Sequence, residues 1–400
     1  MKSPTPIYHQ VLSFLRQYSS FVDLRHVKTL ALMLAALLSS QTLTLSEWEP
    51  HVSSKAVHAK SYERRWQRFL SNRKINVEQL YVPLVLAALS KHKHQRLYLA
   101  IDTTVLWDRY CMIHLAVICC GRAIPLLWKV IEHESATVSF AEYKPMLHLA
   151  HKLLADYPDI MLLGDRAFAC HELLSWLQNH YWHYALRLKT DVALQGIKRR
   201  RSVTVADLLP KNNQATFFAG RVTRHARNVG LWSDGLLRTN LVLATSTSAK
   251  ESWAVITDEE PSLNTLWQYG LRFCIEELFL DSKSGVFQLE DSQIRSAKRL
   301  KRLYLVAALA ILYATTQGMA IQVTGLRQQV DPHRHRGLSY LKIGLRYLQG
   351  VVRKGRTLLR PIPLFRQDPE PCFASKKAKE EHDYAFEFSF IRVITCYAPS

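Results

Sequence analysis

Apolar residues recur at helical spacing along the first 95 residues of the chain. This periodicity predicts short amphipathic helices joined by polar turns. One of them, SYERRWQRFLSNRK, is rich in arginine and carries Trp66 and Phe69 on its apolar side. A basic helix in a small helical domain is a common DNA-reading arrangement, and also a common solvated surface. We predict a helical DNA-binding domain over 1–95, with helices at 6–18, 24–40, 45–52, 60–72 and 76–91.

The pattern changes at residue 96, where three apolar, β-branched runs follow one another with short polar turns between them. The runs RLYLAIDTTVLW, YCMIHLAVICC and AIPLLWKVIE predict an antiparallel meander of three strands. Helical and strand patterns then alternate through EYKPMLHLAHKLLADY, IMLLGD, CHELLSWLQNH and WHYALRLK. This order predicts an α/β fold of the ribonuclease-H-like type, with the first part of its core at 96–190.

The alternation breaks at 191–251, which is β-rich and strongly basic. We interpret this segment as an insertion into the α/β core. The run SWAVITD predicts a strand that returns to the core. A helix is expected to begin just after Pro261, because proline is tolerated near the N-terminus of a helix. The second part of the core is assigned to 252–325. This second part includes a helix predicted at 292–322. A C-terminal helical region and tail occupy 326–400, with a helix predicted at 336–351.

Charge is the most informative feature of the composition. The 400 residues include 53 Lys and Arg against 33 Asp and Glu, a net charge of +20. This excess favours a polyanionic partner, with nucleic acid first and an anionic membrane surface second. The basic residues form several runs that are plausible phosphate contacts: KRRR (198–201), RVTRHAR (221–227), KRLKR (298–302), HRHR (333–336) and RKGR (353–356).

Three absences favour a cytoplasmic protein without a membrane partner. The segment MKSPTPIYHQVLSF lacks the features of a signal peptide, and the apolar run 29–40 is too short to cross a bilayer. The run 303–323 is long enough, but Thr315, Thr316 and polar neighbours interrupt it, so we predict a buried helix. The seven cysteines contain no C-x-x-C pair and are interpreted as reduced thiols.

One predicted helix, in the stretch YGLRFCIEELFLDSK, carries an unusual set of polar side chains. Tyr269, Arg272, Glu276 and Lys283 are separated by three, four and seven positions, and fall within an arc of roughly 60° on an ideal helix. Glu277 points about 100° away from Glu276. The face is either solvated and stabilised by ion pairs, or part of a site that binds a ligand.

Two aspartates follow apolar strand patterns. Asp102 ends one strand in YLAIDTT, and Asp165 ends a later one in IMLLGDRAF. A carboxylate at such a position can form a turn, but two of them together with Glu276 suggest a site for hard divalent cations. We interpret Asp108 as a turn residue instead. Two cations about 4 Å apart can activate a water and stabilise the leaving oxygen of a phosphodiester.

The order Asp102, Asp165, Glu276 on this topology resembles the DDE transposases of bacterial insertion sequences. The spacing of the four polar residues in YGLRFCIEELFLDSK matches the Tyr-x2-Arg-x3-Glu-x6-Lys signature of the insertion-sequence 4 family. The Asp-x-Thr context of Asp102, the Gly-Asp-Arg context of Asp165 and the β-rich insertion also look like that family. The resemblance covers about 95–320 well and the 360–400 tail hardly at all.

The resemblance implies a role for each residue and a reaction for the chain. Asp102, Asp165 and Glu276 would hold two Mg²⁺ ions, with Mn²⁺ able to substitute. The reaction would be cut-and-paste transposition of double-stranded DNA. A nick at each terminal inverted repeat would be followed by a hairpin, its opening, and strand transfer into target DNA. The partners would be DNA and a second copy of the chain in a synaptic complex. Arg272, Tyr269 and Lys283 would contact DNA phosphates, and Trp253 would stack on a flipped base.

Three alternatives remain open at this point. Trp253 is interpreted from its position alone as a core residue. The second alternative is that the chain is a catalytically silent, transposase-derived DNA-binding protein. The third is that it is another ribonuclease-H-like nuclease, such as a junction resolvase. The three intact carboxylates argue against a silent binder, and the Tyr-Arg-Glu-Lys spacing argues against a different nuclease.

Overall fold

The chain is described from a computed structural model, which covers residues 6–17, 23–52, 58–194, 203–222, 239–246, 251–370, 372 and 392–397. The basic runs 198–201 and 223–227 lie outside the described residues. The α-helices are α1 Pro6–Arg16, α2 Leu24–Ser40, α3 Ala59–Ser71, α4 Val77–Ala88, α5 Phe140–Leu153, α6 His171–Asn179, α7 Leu263–Gly270, α8 Cys274–Leu280, α9 Ala297–Val323 and α10 Tyr340–Lys354.

The strands belong to a mixed α/β fold with a large central sheet. They are β1 Leu97–Leu106, β2 Tyr110–Cys119, β3 Arg122–Glu132, β4 Ile160–Gly164, β5 His183–Arg187, β6 Ala193–Leu194, β7 Val203–Thr204, β8 Gln214–Val222, β9 Thr239–Thr245, β10 Trp253–Thr257 and β11 Arg392–Tyr397.

The chain divides into two compact units that combine segments distant in sequence. The first unit contains Met1–Lys93, Thr103–Ala136 and Glu276–Ala374, and the second contains His94–Asp102, Thr137–Ile275 and Ser375–Ser400. Strand β1 contributes its first half to the second unit and its second half to the first. The five-segment division inferred from the sequence stays a prediction.

Helix α9 is the core of the first unit. Its side chains are buried without interruption from Leu303 to Ile321, which confirms the buried helix predicted for this run. Helix α10 packs so closely against α9 that a Cβ atom on Gly344 would lie 1.8 Å from the carbonyl oxygen of Ala314. By length and hydropathy, α9 is the one single helix of the described residues that qualifies as a membrane span. The broken pair Leu24–Ser40 and Leu45–His51 qualifies only when counted together, and the apolar window of α9 is entirely buried.

The N-terminal helices follow the apolar pattern closely. The predicted helices 24–40 and 60–72 are confirmed as α2 and α3. Trp66 of α3 is buried and packs edge-to-face against Trp48 at 5.3 Å between ring centroids. The helix predicted for 45–52 is wrong in type. It consists of two 3₁₀ turns, Leu45–Glu47 and Glu49–His51, because Pro50 at the start of the second turn lacks the N–H of a continuing α-helix.

The predicted meander is confirmed by β1, β2 and β3, and the second half of β1 belongs to the first unit with the other two. The β1–β2 turn is formed by Trp107 and Asp108, at φ 51° and 50°. Two successive left-handed residues give the twist that a tight hairpin requires. Asp108 is exposed at this turn, as predicted.

In the second unit the strand order is β11-β8-β9-β10-β5-β4-β1. Strands β1, β4 and β5 are parallel, and β10 is antiparallel to both β5 and β9. The return strand predicted for SWAVITD is confirmed as β10. Strands β8 and β9 of the predicted insertion extend the same sheet, so this part of the insertion continues the core layer.

The segment 359–370 of the C-terminal tail, which the sequence did not place, runs along the first unit as an extended strap. The carbonyl oxygen of Leu359 accepts a hydrogen bond of 2.6 Å from Gln317, and the amide of Leu364 donates to Ala88 at 2.9 Å. Near the end of this segment, Asp368 forms an ion pair with Arg336, which is only 1% exposed. The interpretation of HRHR (333–336) as a set of phosphate contacts is therefore wrong for Arg336, whose charge is used internally.

Candidate functional site

Two parallel strands of the second unit place Asp102 and Asp165 side by side. Ile101 of β1 is in register with Gly164 of β4, and each aspartate is the next residue of its chain. Because neighbouring strands lie about 4.8 Å apart, the two aspartates lie next to each other. Asp165 directly follows β4 as predicted, whereas the prediction that Asp102 ends its strand is wrong, because β1 continues to Leu106. Gly164 fits a tightly packed position, since a Cβ atom there would lie 3.0 Å from Leu186 Cδ2 and 3.3 Å from Ile101 Cγ2.

The carboxylate of Asp165 is oriented by the turn that follows β4. The backbone N–H of Ala167 donates to Asp165 Oδ1 at 2.8 Å, and the N–H of Phe168 donates to the carbonyl oxygen of Asp165 at 3.1 Å. These bonds hold the half-buried aspartate in one conformation, as in an Asx turn. Asp165 is thus both a turn residue and a fixed oxygen donor.

The carboxylate of Asp102 forms an ion pair with Arg272. The Nη1 atom of Arg272 donates to Asp102 Oδ2 at 2.9 Å, and the side chains are only 7% and 14% exposed. The guanidinium also lies over the ring of Phe273, with 4.5 Å from Cζ to the centroid. Such charge-assisted contacts are stronger when shielded from water.

Tyr269 and Trp253 lie beside this ion pair. The ring of Tyr269 is completely buried and meets Trp253 edge-on at 5.1 Å between centroids. Burial raises the pKa of Tyr269, although the positive charge of Arg272 opposes that rise, so the phenol stays protonated at neutral pH. Trp253 opens β10, is half-buried, and lies 5.7 Å from the ring of Phe273.

The predicted polar face is not one uniform surface. Residues Leu271–Phe273 form a 3₁₀ turn between α7 and α8, which tightens the helix to about three residues per turn. Tyr269 and Arg272 are buried, whereas Glu276 is exposed in the first turn of α8. The solvated-face interpretation therefore fails for Tyr269 and Arg272. Glu276 is the first residue of the third segment of the first unit.

Lys283 lies in a π-helical turn of the first unit, Asp281–Gly285. Its Nζ atom donates to the carbonyl oxygen of Val105 at 2.9 Å and lies 3.2 Å from Glu290 Oε1. Glu277 pairs with Arg122, from which Asp281 is 3.6 Å away. Glu277 therefore has a structural partner of its own, and its side chain is not simply solvated.

Phe273 is a site residue that was not predicted from the sequence. It is adjacent to Arg272 in the chain and partly exposed, and it contacts both Arg272 and Trp253. Its contact with Trp253 depends on where β10 meets the α7–α8 region. No spacing in the sequence encodes that meeting point, so no signal was available to find it.

The donor chemistry of Asp102 and Asp165 fits a hard divalent cation, because Mg²⁺ takes carboxylate oxygens together with its own waters. Across the part of the chain that the structure describes, no three His, Cys, Asp or Glu side chains are grouped as metal ligands. Asp102 is instead engaged by Arg272. The second unit thus supplies two carboxylates and one guanidinium at one place.

One comparison with known protein families agrees with this chemistry. A family model described as a transposase DDE domain matches residues 107–313, which is just over half of the chain. The matched region includes Asp165 and Glu276 and begins five residues after Asp102. No curated protein matches the chain. Among solved structures, the chain is similar to a piggyBac transposase in a synaptic complex with hairpin DNA, determined by cryo-EM. The identity is 9% and the TM-score 0.38, over 96% of this chain and 78% of that one.

Because the family model matches more than half of the chain, the match establishes the family of the protein, and the enzymatic class follows from the family. The protein belongs to the DDE transposase family and is a DNA transposase, an enzyme of DNA phosphoryl transfer.

Proposed function

We propose that this transposase is of the insertion-sequence 4 type, from a bacterium, with a ribonuclease-H-like catalytic core. It binds the terminal inverted repeats of its element, excises the element by nicking, hairpin formation and hairpin opening, and transfers it into target DNA. The single observation that carries this proposal is the register of β1 and β4. It sets Asp102 beside Asp165, with the guanidinium of Arg272 on Asp102.

Asp102 and Asp165 would hold the divalent cations of the reaction. The sequence signature supplies Glu276 as the third carboxylate. Two Mg²⁺ ions are the proposed cofactors, with Mn²⁺ able to substitute, since the donors are all oxygens. Bound cations lower the pKa of the attacking water and neutralise charge on the leaving oxygen.

The remaining residues orient the DNA. Arg272 presents a planar fork suited to a phosphate, and the protonated phenol of Tyr269 is a hydrogen-bond donor. Trp253 is half-buried, so part of its ring is accessible for stacking on an extruded base. Lys283 is assigned to the DNA backbone by the sequence signature, and in the DNA-free chain its ammonium contacts Val105 and Glu290.

The partners are the transposon ends, the target DNA and a second copy of the chain, and the proposed location is the bacterial cytoplasm. Helix α3 supports DNA binding by the N-terminal region. Arg64 and Arg68 are exposed on it, while Tyr62, Trp66 and Phe69 fix its opposite side in the core. Such phosphate contacts weaken as salt concentration rises.

The test is cleavage of labelled element ends with Mg²⁺ by the parent chain and by Asp102→Asn and Asp165→Asn. Asp108→Asn is the matched control. It makes the same chemical change six residues from Asp102, at a turn position with positive φ that Asn tolerates. We expect end binding in all four proteins and cleavage only in the parent and the control. Binding without cleavage by the parent would identify a silent binder, and cleavage without end preference another nuclease.

A further inference from the structure

The ion pair between Arg272 and Asp102 joins a proposed phosphate contact directly to a proposed cation ligand. The two side chains are 2.9 Å apart and almost completely shielded. A buried carboxylate that has a positive partner is already neutralised, and removing that partner would leave its charge uncompensated. In the DNA-free chain, the charge that would attract a cation to Asp102 is therefore balanced by Arg272.

The position of Arg272 is fixed by other contacts as well. Its Cζ atom lies 4.5 Å from the centroid of Phe273 and 5.9 Å from that of Tyr269, both within the range of cation–π attraction. The 3₁₀ turn Leu271–Phe273 carries Arg272, and its Nη1 atom reaches Asp102 within β1. One carboxylate and two rings thus hold the guanidinium, which is more than a chance surface pairing provides.

We infer that Arg272 is a removable counter-ion of Asp102, which competes with the divalent cation until a DNA phosphate takes over its guanidinium. The inference rests on the proposed function, because it takes Asp102 as a cation ligand. Arg272 acts on the cation through Asp102 and is in this respect a positioning residue. Phosphate and carboxylate both accept the planar fork of arginine, so the exchange replaces one set of charge-assisted hydrogen bonds by another.

The exchange couples DNA binding to cation binding. A phosphate that draws Arg272 away from Asp102 strengthens cation binding, and by linkage the cation strengthens phosphate binding by the same factor. The chain would therefore assemble its hydrolytic site mainly on DNA.

The experiment measures Mn²⁺ binding to the full-length, DNA-free chain by electron paramagnetic resonance of the unbound ion. Arg272→Gln is expected to bind Mn²⁺ about tenfold more tightly than the parent, the equivalent of roughly 1.4 kcal/mol. Arg272→Lys keeps the charge and is expected to stay within a few-fold of the parent. Lys152→Gln is the control, since it removes one positive charge from an exposed position of α5 in the same unit.

The direction of the change separates the inference from a purely structural role. If Arg272 only held Asp102 in place, its loss would weaken Mn²⁺ binding. Equal or weaker binding by a folded Arg272→Gln variant would overturn the inference, while the proposed cation site would stand if Asp102→Asn still removed it. If no variant showed a Mn²⁺ site that depends on Asp102, the proposed cation site and the inference would both be wrong.

A second measurement uses the unmutated chain and needs no variant to fold. Phenylglyoxal modifies accessible arginines, and Arg272 is only 6% exposed. We expect Arg272 to be protected without metal and to be modified faster as Mn²⁺ displaces it, as quantified by peptide mass spectrometry. Unchanged protection at a saturating Mn²⁺ concentration would overturn the inference.

Discussion

The ammonium of Lys283 donates a hydrogen bond of 2.9 Å to the carbonyl oxygen of Val105, three residues beyond Asp102 on the same strand. With Glu290 at 3.2 Å, this bond ties the π-helical turn Asp281–Gly285 to β1. A short π-helical segment is often found at a functional site. In the absence of DNA, Lys283 therefore supports the end of the strand that carries Asp102.

Replacement of Lys283 by Gln should consequently lower stability as well as DNA affinity. The lost bonds are partly exposed, so we expect a decrease of about 1 kcal/mol in the free energy of unfolding. The measurement is urea denaturation without DNA. Lys298→Gln, at an exposed position of α9, is the control and should leave the unfolding curve unchanged. An unchanged curve for Lys283→Gln would mean that its contacts contribute nothing to the folded state.

Glu276 and Glu277 provide a comparison between adjacent residues. We expect Glu276→Gln to reduce cleavage of element ends by about a hundredfold or more, because it removes a proposed cation ligand. Glu277→Gln should keep its cleavage rate and lose a little stability. The side chain of Glu277 is 48% exposed, so its ion pair with Arg122 is weak, and Asp281 remains near Arg122. Cleavage by Glu276→Gln within tenfold of the parent would remove that residue from the proposed ligand set.

Elements whose hydrophobic period is long or regular were predictable from the sequence. Helix α9 and the strands of the meander are specified by many residues each, so one atypical side chain does not change the prediction. The end of β4 was also predictable, because Asp165 interrupts an apolar run there, whereas β1 continues beyond Asp102 to Leu106. The adjacency of the two aspartates required the β1–β4 register in addition.

Pairings between distant segments were not predictable. The ion pair of Arg272 with Asp102 joins residues 170 positions apart, and that of Arg336 with Asp368 recruits the tail into the first unit. Neither pairing has a local pattern. The same holds for the 3₁₀ turn at Leu271–Phe273, where tertiary packing overrides the ideal helical spacing on which the predicted 60° face relied.

Trp253 is the residue expected to separate nicking from hairpin formation. Stacking of an extruded base on an aromatic ring is worth roughly 1–3 kcal/mol, so Trp253→Ala should slow hairpin formation about ten- to a hundredfold and leave the first nick near its normal rate. Trp253→Phe should restore much of the hairpin rate. The measurement is a denaturing gel of labelled ends beside a thermal melt. Because Trp253 also contacts Tyr269 and Phe273, equal loss of both steps with a lower melting temperature would make it a packing residue.

His114 is expected to make the stability of the first unit depend on pH. It is buried in β2 between the rings of Phe279 and Tyr304, and burial lowers the pKa of His114 to about 3. In the unfolded chain a histidine titrates near its ordinary pKa of about 6.5, so between these values the unfolded state binds the additional proton. Stability is then fully present above pH 6.5 and falls as the pH decreases from there toward 3.

His114→Phe should therefore show a shallower loss of stability over this range, while keeping the aromatic packing. Urea denaturation at pH 7.5, 6.5, 5.5 and 4.5 measures the effect. His58→Phe, at an exposed position before α3, is the matched control and should reproduce the pH profile of the parent. A parallel profile for His114→Phe would show that the buried imidazole does not resist protonation, and that the acid sensitivity of the chain arises from other groups.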